Sequence, residues 1–146
     1  MPIKTEDSDW KRLPSGRLYN HKFGYGKLDA YALVEAAKEH KGVNQQTWLE
    51  LPSPVKKRTI PDSTGLKTKK ALKSIVKVTE EMIKAAGLLR LEHITATVNI
   101  EHQRRGDLTI DLLSPHQVKS ELATRRNLDT SAEGFPNWKF MSVKHW

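Results

Sequence analysis

The 146-residue sequence contains no cysteine, which excludes a disulfide-stapled scaffold and a thiolate zinc site. It has no apolar run of about 18 residues, so it predicts no membrane-spanning helix and no membrane contact. The first residues are polar and acidic where a signal peptide would be apolar, and we expect no targeting signal in this chain. The length suits one domain, or one domain with a short additional piece.

Aromatic residues are sparse at 7%, and their distribution bears on the excess of positive charge. The net charge is +8, and residues 51–90 carry ten basic side chains against three acidic ones. Such a segment could belong to a self-sufficient basic β-sandwich that binds nucleic acid or an acidic protein. However, no aromatic residue lies between Trp48 and Phe135 to stack on bases, and residues 56–70 have the composition of a solvated loop. We therefore predict no nucleic-acid partner and keep the binding module as the alternative.

One segment of the first third has helical periodicity, with apolar residues at the spacing of one helix face from Leu33 to His40. Asp29 suits the N-cap because its carboxylate can accept from the free N–H groups of a first turn. Gly42 can adopt the left-handed conformation that often ends a helix. The pattern predicts a helix of about three turns between these two residues.

From Val43 onward, apolar and polar residues alternate, as in strands with one buried face. Strands separated by polar turns predict a mainly β chain that forms an antiparallel sandwich. The strands are few for a closed sandwich, so we expect it to be incomplete at its C-terminus. A helical turn is predicted at 80–87, and strands are predicted at 48–51, 71–78, 94–101, 108–112, 118–122 and 138–143.

Three segments resemble a known protease family. Phe23–Val34 resembles the end of a subtilisin-like catalytic domain, where a Gly-x-Gly turn leads into the last helix. Arg105–Pro115 and Glu133–Trp146 resemble the P domain, or homo B domain, of kexin, furin and related proprotein convertases. The residues that carry the resemblance are Gly24, Gly26, Asp29, Arg105, Gly106, Asp107, Ser114, Pro115, Gly134, Phe135, Trp138, Phe140, His145 and Trp146.

The resemblance implies both an architecture and a parent enzyme. Residues 1–42 would be the tail of a subtilisin-like catalytic domain, and residues 43–146 a truncated, jelly-roll-like P domain. The parent would be a calcium-dependent serine endopeptidase of the late Golgi that cleaves precursor proteins after paired basic residues. The P domain would stabilise the catalytic domain, which is therefore the implied partner.

The same resemblance implies that this chain contains no catalytic residue and holds no cofactor, and that it is inactive alone. In the family, the Asp, His and Ser of the triad precede the segment that matches residues 9–42, and the calcium ligands belong to the catalytic domain. Asp129–Ala132 imitates the start of the nucleophile motif, but it lacks the preceding glycine and the following proline. The six histidines lack the spacing of a zinc site, so no metal site is predicted.

Two short motifs admit other interpretations. Arg105–Asp107 is an Arg-Gly-Asp tripeptide that could bind an integrin. We favour a structural interpretation, in which Gly106 makes a turn and the two charged side chains pair with neighbouring loops. Lys57 and Arg58 form a dibasic pair in the predicted basic loop, and we predict that a kexin-type protease cuts there first.

Overall fold

The computed structural model describes residues 6–51, 58–60 and 71–144, which belong to two compact units, Met1–Gln46 and Thr47–Trp146. Strands predominate, and the mainly β fold is confirmed. Neither helix of the described residues is long and apolar enough to cross a membrane. The elements are the strands β1 (Lys11–Arg12), β2 (Leu18–Tyr19), β3 (Arg58–Thr59), β4 (Ile94–Glu101), β5 (Ile110–Leu113), β6 (Lys119–Ala123) and β7 (Phe135–Ser142), the helices α1 (Ala30–Glu39) and α2 (Glu80–Ala85), and a 3₁₀ turn at Arg105–Asp107.

The first unit is organised around Asn20, whose side chain is fully buried. Its Oδ1 accepts hydrogen bonds from the backbone N–H groups of Lys22 and Phe23 at 2.8 and 3.2 Å. Its Nδ2 donates to Asp7 at 3.2 Å, and its backbone exchanges two hydrogen bonds with Gly24. A buried amide with these partners incurs little desolvation penalty. Asn20 therefore holds the loop that follows the antiparallel β1–β2 pair.

Helix α1 begins as predicted and ends earlier. The Asp29 carboxylate accepts from the N–H of Ala32 at 3.0 Å, which confirms the N-cap. The C-cap is His40 in an extended conformation. Gly42 does have a positive φ of 87°, but it lies two residues beyond the cap, so its prediction as the helix-ending residue is wrong. Its N–H donates instead to Nδ1 of His40 at 2.9 Å.

The second unit contains a three-stranded sheet in the order β3–β4–β7 and a separate antiparallel pair, β5–β6. β4 runs antiparallel to β7, with Val98 opposite Trp138 and Ile100 opposite Phe135, and the register shifts between these pairs. A buried hydroxyl pair, Ser120 and Ser142 at 2.7 Å, links β6 to β7. The core lies where these strands meet and consists of Ile100, Leu108, Ala123 and Phe135.

Two predicted strands, 48–51 and 71–78, are wrong, because neither segment pairs with a strand among the described residues. Trp48 packs the edge of its ring against His93 at 4.8 Å, and the Ile75 side chain is 73% exposed. Alternation makes a segment compatible with a sheet, but the ladder to a neighbouring strand supplies most of the stability. The helical turn predicted at 80–87 is confirmed as α2, with Thr79 as its N-cap and Gly87 following it at a φ of 63°.

The basic loop predicted at 56–70 is wrong at two of its described residues. Arg58 and Thr59 form β3, which runs parallel to β4 at Ile100 and Glu101. The Thr59 hydroxyl also donates to the Glu101 carboxylate at 3.1 Å. These contacts attach β3 to the outer side of β4. Residues 52–57 and 61–70 lie outside the described part of the chain.

Candidate functional site

The candidate site is built on the 3₁₀ turn Arg105–Asp107. Gly106 is buried, its N–H donates to the Asp129 carbonyl at 3.1 Å, and its own carbonyl accepts from the N–H of Arg126 at 2.8 Å. A Cβ at this position would collide with the carbonyl oxygens of Arg126 and Asp129. Only glycine therefore lets the turn pack this closely against the following loop, residues 124–131.

One carboxylate, Asp129, binds two arginines. The Arg105 guanidinium contacts it through two atoms, with Nε 2.8 Å from Oδ2 and Nη2 3.1 Å from Oδ1. Nε of Arg126 lies 3.3 Å from the same Oδ2. The Asp129 side chain is only 17% exposed, and a two-point arginine–carboxylate pair fixes orientation as well as charge. Asp129, which belongs to the 124–131 loop, therefore links this loop to the turn.

Backbone carbonyls complete the contacts of the Arg126 guanidinium. Its Nη1 donates to the Thr124 carbonyl at 2.5 Å, and its Nη2 donates to the Arg105 carbonyl at 3.2 Å. In return, the N–H of Arg105 donates to the Ser131 carbonyl at 2.8 Å. The turn and the loop are thus joined by side-chain and backbone bonds in both directions.

A second carboxylate, Asp107, binds Arg104 and Arg125, which directly precede Arg105 and Arg126 in the chain. Its Oδ2 lies 3.7 Å from Nε of Arg104, and its Oδ1 lies 3.3 Å from Nη2 of Arg125. The Asp107 side chain is 34% exposed, so solvent screens these contacts more than those of Asp129. Nη2 of Arg104 additionally donates to the Asn127 carbonyl at 2.8 Å.

Aromatic rings from β7 pack against the two inner arginines. Phe135 is 3% exposed and lies 5.5 Å from the guanidinium carbon of Arg126 and 5.9 Å from that of Arg105. Trp138 lies 5.7 Å from the Arg105 guanidinium and meets Phe135 edge to face at 5.7 Å, while remaining 44% exposed. Phe140, half-buried, also packs against Phe135 at 5.5 Å. The charged cluster therefore sits directly on the hydrophobic core.

The pKa of Asp129 is lowered from 3.8 to about 2, chiefly by the two-point bond from Arg105 and also by the N–H of Ser131 and by Arg126. Because the folded-state pKa lies below that of the unfolded chain, this pairing stabilises the fold fully above about pH 4. The contribution disappears as the pH falls from about 4 to 2.

We expect an Asp129→Asn variant to be less stable than the parent chain at pH 7, because the variant cannot form the charged bonds to Arg105 and Arg126. We expect the gap between the two to narrow as the pH falls from about 4 to 2, since the parent loses the same bonds there. Urea unfolding at a series of pH values measures both free energies. Parallel curves across that interval would contradict the assignment.

The remaining sequence-predicted residues fall in several places. Gly26 has a φ of 107° and donates its N–H to the Phe23 carbonyl at 3.0 Å. Ser114 Oγ accepts from the N–H of Val118 at 3.1 Å, which fixes the turn that contains Pro115. Gln117, in the same turn, has a φ of 61° and donates its N–H to the Ser114 carbonyl at 2.9 Å. Lys57, His145 and Trp146 lie outside the described residues.

At Gly134, as at Gly106, the backbone lies very close to a neighbouring segment. It has a φ of 65°, and a Cβ there would collide with the carbonyl oxygen of Ile100. Arg58, the second residue of the pair that we predict is cut first, lies in β3 and not in a loop.

The arrangement joins two backbone segments through charged and backbone hydrogen bonds. Ser131, in the segment that imitates a nucleophile motif, accepts the N–H of Glu133 on Oγ at 3.3 Å and the N–H of Arg105 on its carbonyl. Within residues 6–51, 58–60 and 71–144, no group of three His, Asp or Glu side chains could hold a metal ion. The contacts of Arg105, Gly106 and Asp107 agree with the structural interpretation of the tripeptide.

The sequence did not reveal Arg126 and Asp129 as partners of the turn. Arg126 is the second residue of a dibasic pair, Arg125–Arg126, and Asp129 was noticed only as the first residue of an imperfect serine motif. Asp129 lies 24 residues from Arg105, so no helical or strand spacing relates the two charges. Their opposite signs were the only available signal.

Comparison with known proteins places these residues in a family. The model of the proprotein convertase P-domain family matches residues 91–146. The chain is 45% identical over 144 residues to Protease KEX1 of Kluyveromyces lactis, which covers 99% of this chain and 18% of the relative. It is 41% identical to kexin of Saccharomyces cerevisiae (98% of this chain, 17% of the relative). It is 40% identical to a dibasic-processing endoprotease of Schizosaccharomyces pombe (97% and 20%). The chain thus spans about a fifth, or slightly less, of each relative's length.

Proposed function

The chain belongs to the kexin-like proprotein convertase family through its P domain, and on that basis we propose that it is a non-catalytic segment of a serine endopeptidase. The enzyme would process precursor proteins after paired basic residues in the late secretory pathway. The identity of 40–45% over nearly the whole chain to proteases, one of them named for dibasic processing, carries this proposal. The role proposed for the segment is to hold a neighbouring catalytic domain in its active fold.

The exposure of α1 supports a catalytic-domain partner. None of its ten residues is buried, and Tyr31, Leu33 and Val34 are each more than half exposed. An isolated helix of this length is marginal in water, and most helices are stabilised by packing of an apolar face. We therefore propose that residues 1–42 complete a subtilisin-like domain, whose remaining part would cover this face.

A second apolar surface supports the same role for the other unit. Between residues 72 and 91 many large apolar side chains are exposed, and none of this segment is in a strand. Exposed apolar side chains concentrated in one segment are typical of a surface that contacts another protein. Its members include Leu72, Ile75, Val76, Val78, Met82, Ile83, Leu89 and Leu91.

Calcium, in this proposal, is bound by the remaining part of the catalytic domain and not by the described residues of this chain. The well-buried carboxylates of the described residues are already occupied by cationic or N–H donors: Asp7 by Lys22 and Asn20, and Asp129 by arginines. A calcium site needs several free oxygen ligands, which such carboxylates do not supply. The described residues therefore do not fit the ion.

A domain exchange tests the proposal. The matching segment of Saccharomyces cerevisiae kexin is replaced by this chain, and hydrolysis of a fluorogenic Lys-Arg peptide is measured. We expect the chimera to retain hydrolysis and the purified chain alone to show only background. Inhibitor-sensitive hydrolysis by the chain alone, or a correctly secreted chimera without activity, would contradict the proposal.

The basic binding module remains the competing function, and the purified chain distinguishes it. We expect weak, sequence-independent DNA binding from a chain of net charge +8. Tight binding with a steep salt dependence would instead favour the binding module, because each neutralised phosphate adds to that slope.

A further inference from the structure

We propose that Asp107 and Asp129 mask two dibasic pairs, Arg104–Arg105 and Arg125–Arg126, from cleavage by endoproteases that recognise paired basic residues. The two pairs lie on opposite sides of the turn–loop contact, and each aspartate binds one arginine of each pair. This inference rests on the proposed function only in the choice of protease to which the parent protein would be exposed.

Asp129 binds the second arginine of each pair, Arg105 or Arg126, which is the residue that would precede the cut bond. Arg105 binds it by two atoms at 2.8 and 3.1 Å, and Arg126 contacts it at 3.3 Å. A protease specific for basic residues must take up this guanidinium in a carboxylate-lined pocket. Asp129 thus supplies within the fold the partner that the protease pocket would offer, and the two compete for the same group.

Asp107 binds the first arginine of each pair, Arg104 or Arg125. It lies 3.7 Å from Nε of Arg104 and 3.3 Å from Nη2 of Arg125. A protease that requires two adjacent basic side chains would have to remove both from aspartates before binding. The four arginines and the two aspartates therefore form one network of ion pairs. Neither dibasic pair can enter a protease active site unless its contacts to both carboxylates are broken.

The backbone is masked together with the side chains. A protease binds its substrate as an extended strand, which it pairs with its own backbone. The bond after Arg105 lies in a 3₁₀ turn beside the buried Gly106, and the Arg126 carbonyl accepts from the N–H of Asp129 at 3.0 Å. Cleavage at either pair therefore requires local opening of the turn–loop contact, and its rate follows the population of the opened form.

The test compares proteolysis of the full chain with that of Asp129→Asn, Asp107→Asn and a control, Asp111→Asn. The control removes a carboxylate from an ion pair with Lys119, at 3.2 Å, that contains no dibasic residue. Each protein is incubated with a kexin-type protease and, separately, with trypsin, and intact-mass spectrometry follows the fragments that end at Arg105 and Arg126. Trypsin cleavage after Lys139, which lies in β7, reports unfolding of the sheet.

We expect Asp129→Asn to accelerate cleavage after both Arg105 and Arg126 on the order of tenfold. Asp107→Asn, which is more exposed, should accelerate both about two- to threefold, and Asp111→Asn should change neither. Cleavage after Arg58, predicted to come first in the parent chain, should be the same in all four proteins.

Two results would overturn the masking. One is unchanged cleavage after Arg105 and Arg126 in an Asp129→Asn variant that remains folded. The other is that, in the parent chain, fragments ending at Arg105 and Arg126 form no faster than the fragment ending at Lys139, because the pairs would then be exposed only by unfolding of the whole sheet. If Asp129→Asn does not fold, the first criterion applies to Asp107→Asn. Because both proteases are added externally, the result does not depend on the chimera's activity, and the two proposals can fail separately.

Discussion

Replacing Gly134 by alanine should destabilise the second unit by about 4 kcal/mol, since the variant combines two penalties. Its φ of 65° is a left-handed conformation that disfavours a Cβ, and that Cβ would also collide with the backbone carbonyl of Ile100. Gly106→Ala carries only the collision with Arg126 and Asp129, and should cost about 3 kcal/mol. Urea unfolding of the purified variants measures these free energies.

Gly87 is the matched control for this comparison. It has a similar φ of 63°, but a Cβ there would meet nothing within 4 Å. Gly87→Ala should therefore cost only about 1 kcal/mol, the penalty of the left-handed conformation alone. Equal losses at Gly87 and Gly134 would show that the close approach to Ile100 contributes nothing.

Phe135→Ala should destabilise the same unit by about 4 kcal/mol, the usual range for truncating a buried phenylalanine. Phe135 is 3% exposed and belongs to the core with Ile100 and Leu108. The substitution also removes the ring on which the guanidinium groups of Arg105 and Arg126 rest. In the kexin chimera, the same change should strongly reduce hydrolysis of the Lys-Arg peptide if the P domain supports the catalytic domain.

Leu128→Ala is the appropriate control for this truncation. Leu128 lies in the 124–131 loop and is 98% exposed, so its removal creates no cavity and should change the free energy of unfolding by less than about 0.5 kcal/mol. Both variants lose an apolar side chain, and the leucine loses fewer carbon atoms than the phenylalanine. A similar loss of stability in the two would mean that Phe135 is not part of a packed core.

The elements that sequence analysis predicted well are those whose signals are local. The side chain of Asp29 caps α1, and Gly87 follows α2, because a cap depends on a few neighbouring residues. β4 combines alternation over eight residues with a neighbouring strand, β7, to pair with. Residues 71–78 have a similar alternation without a strand partner among the described residues, and periodicity cannot reveal whether a partner exists.

The candidate site was predictable only in part for the same reason. The resemblance picked out Arg105–Asp107 and Phe135, and the expected pairing of the turn with neighbouring loops agrees with their contacts. Opposite charge was the only indication that Asp129 could be the common partner, because long-range ion pairs leave no periodic pattern in the sequence. Gln117 is a further example, since its φ of 61° is a left-handed conformation that its residue type does not predict.

The position of β3 has a consequence for how this sequence can diverge. Thr59 meets Glu101 across 42 residues of chain, so β3 joins the sheet by closing a long loop. The entropy of closing such a loop grows only with the logarithm of its length, and doubling it would cost about 0.6 kcal/mol. The closure entropy alone thus changes little when residues are inserted between β3 and α2. Sequence changes from α2 onward are more restricted, because that segment contains a capped helix and leads into β4.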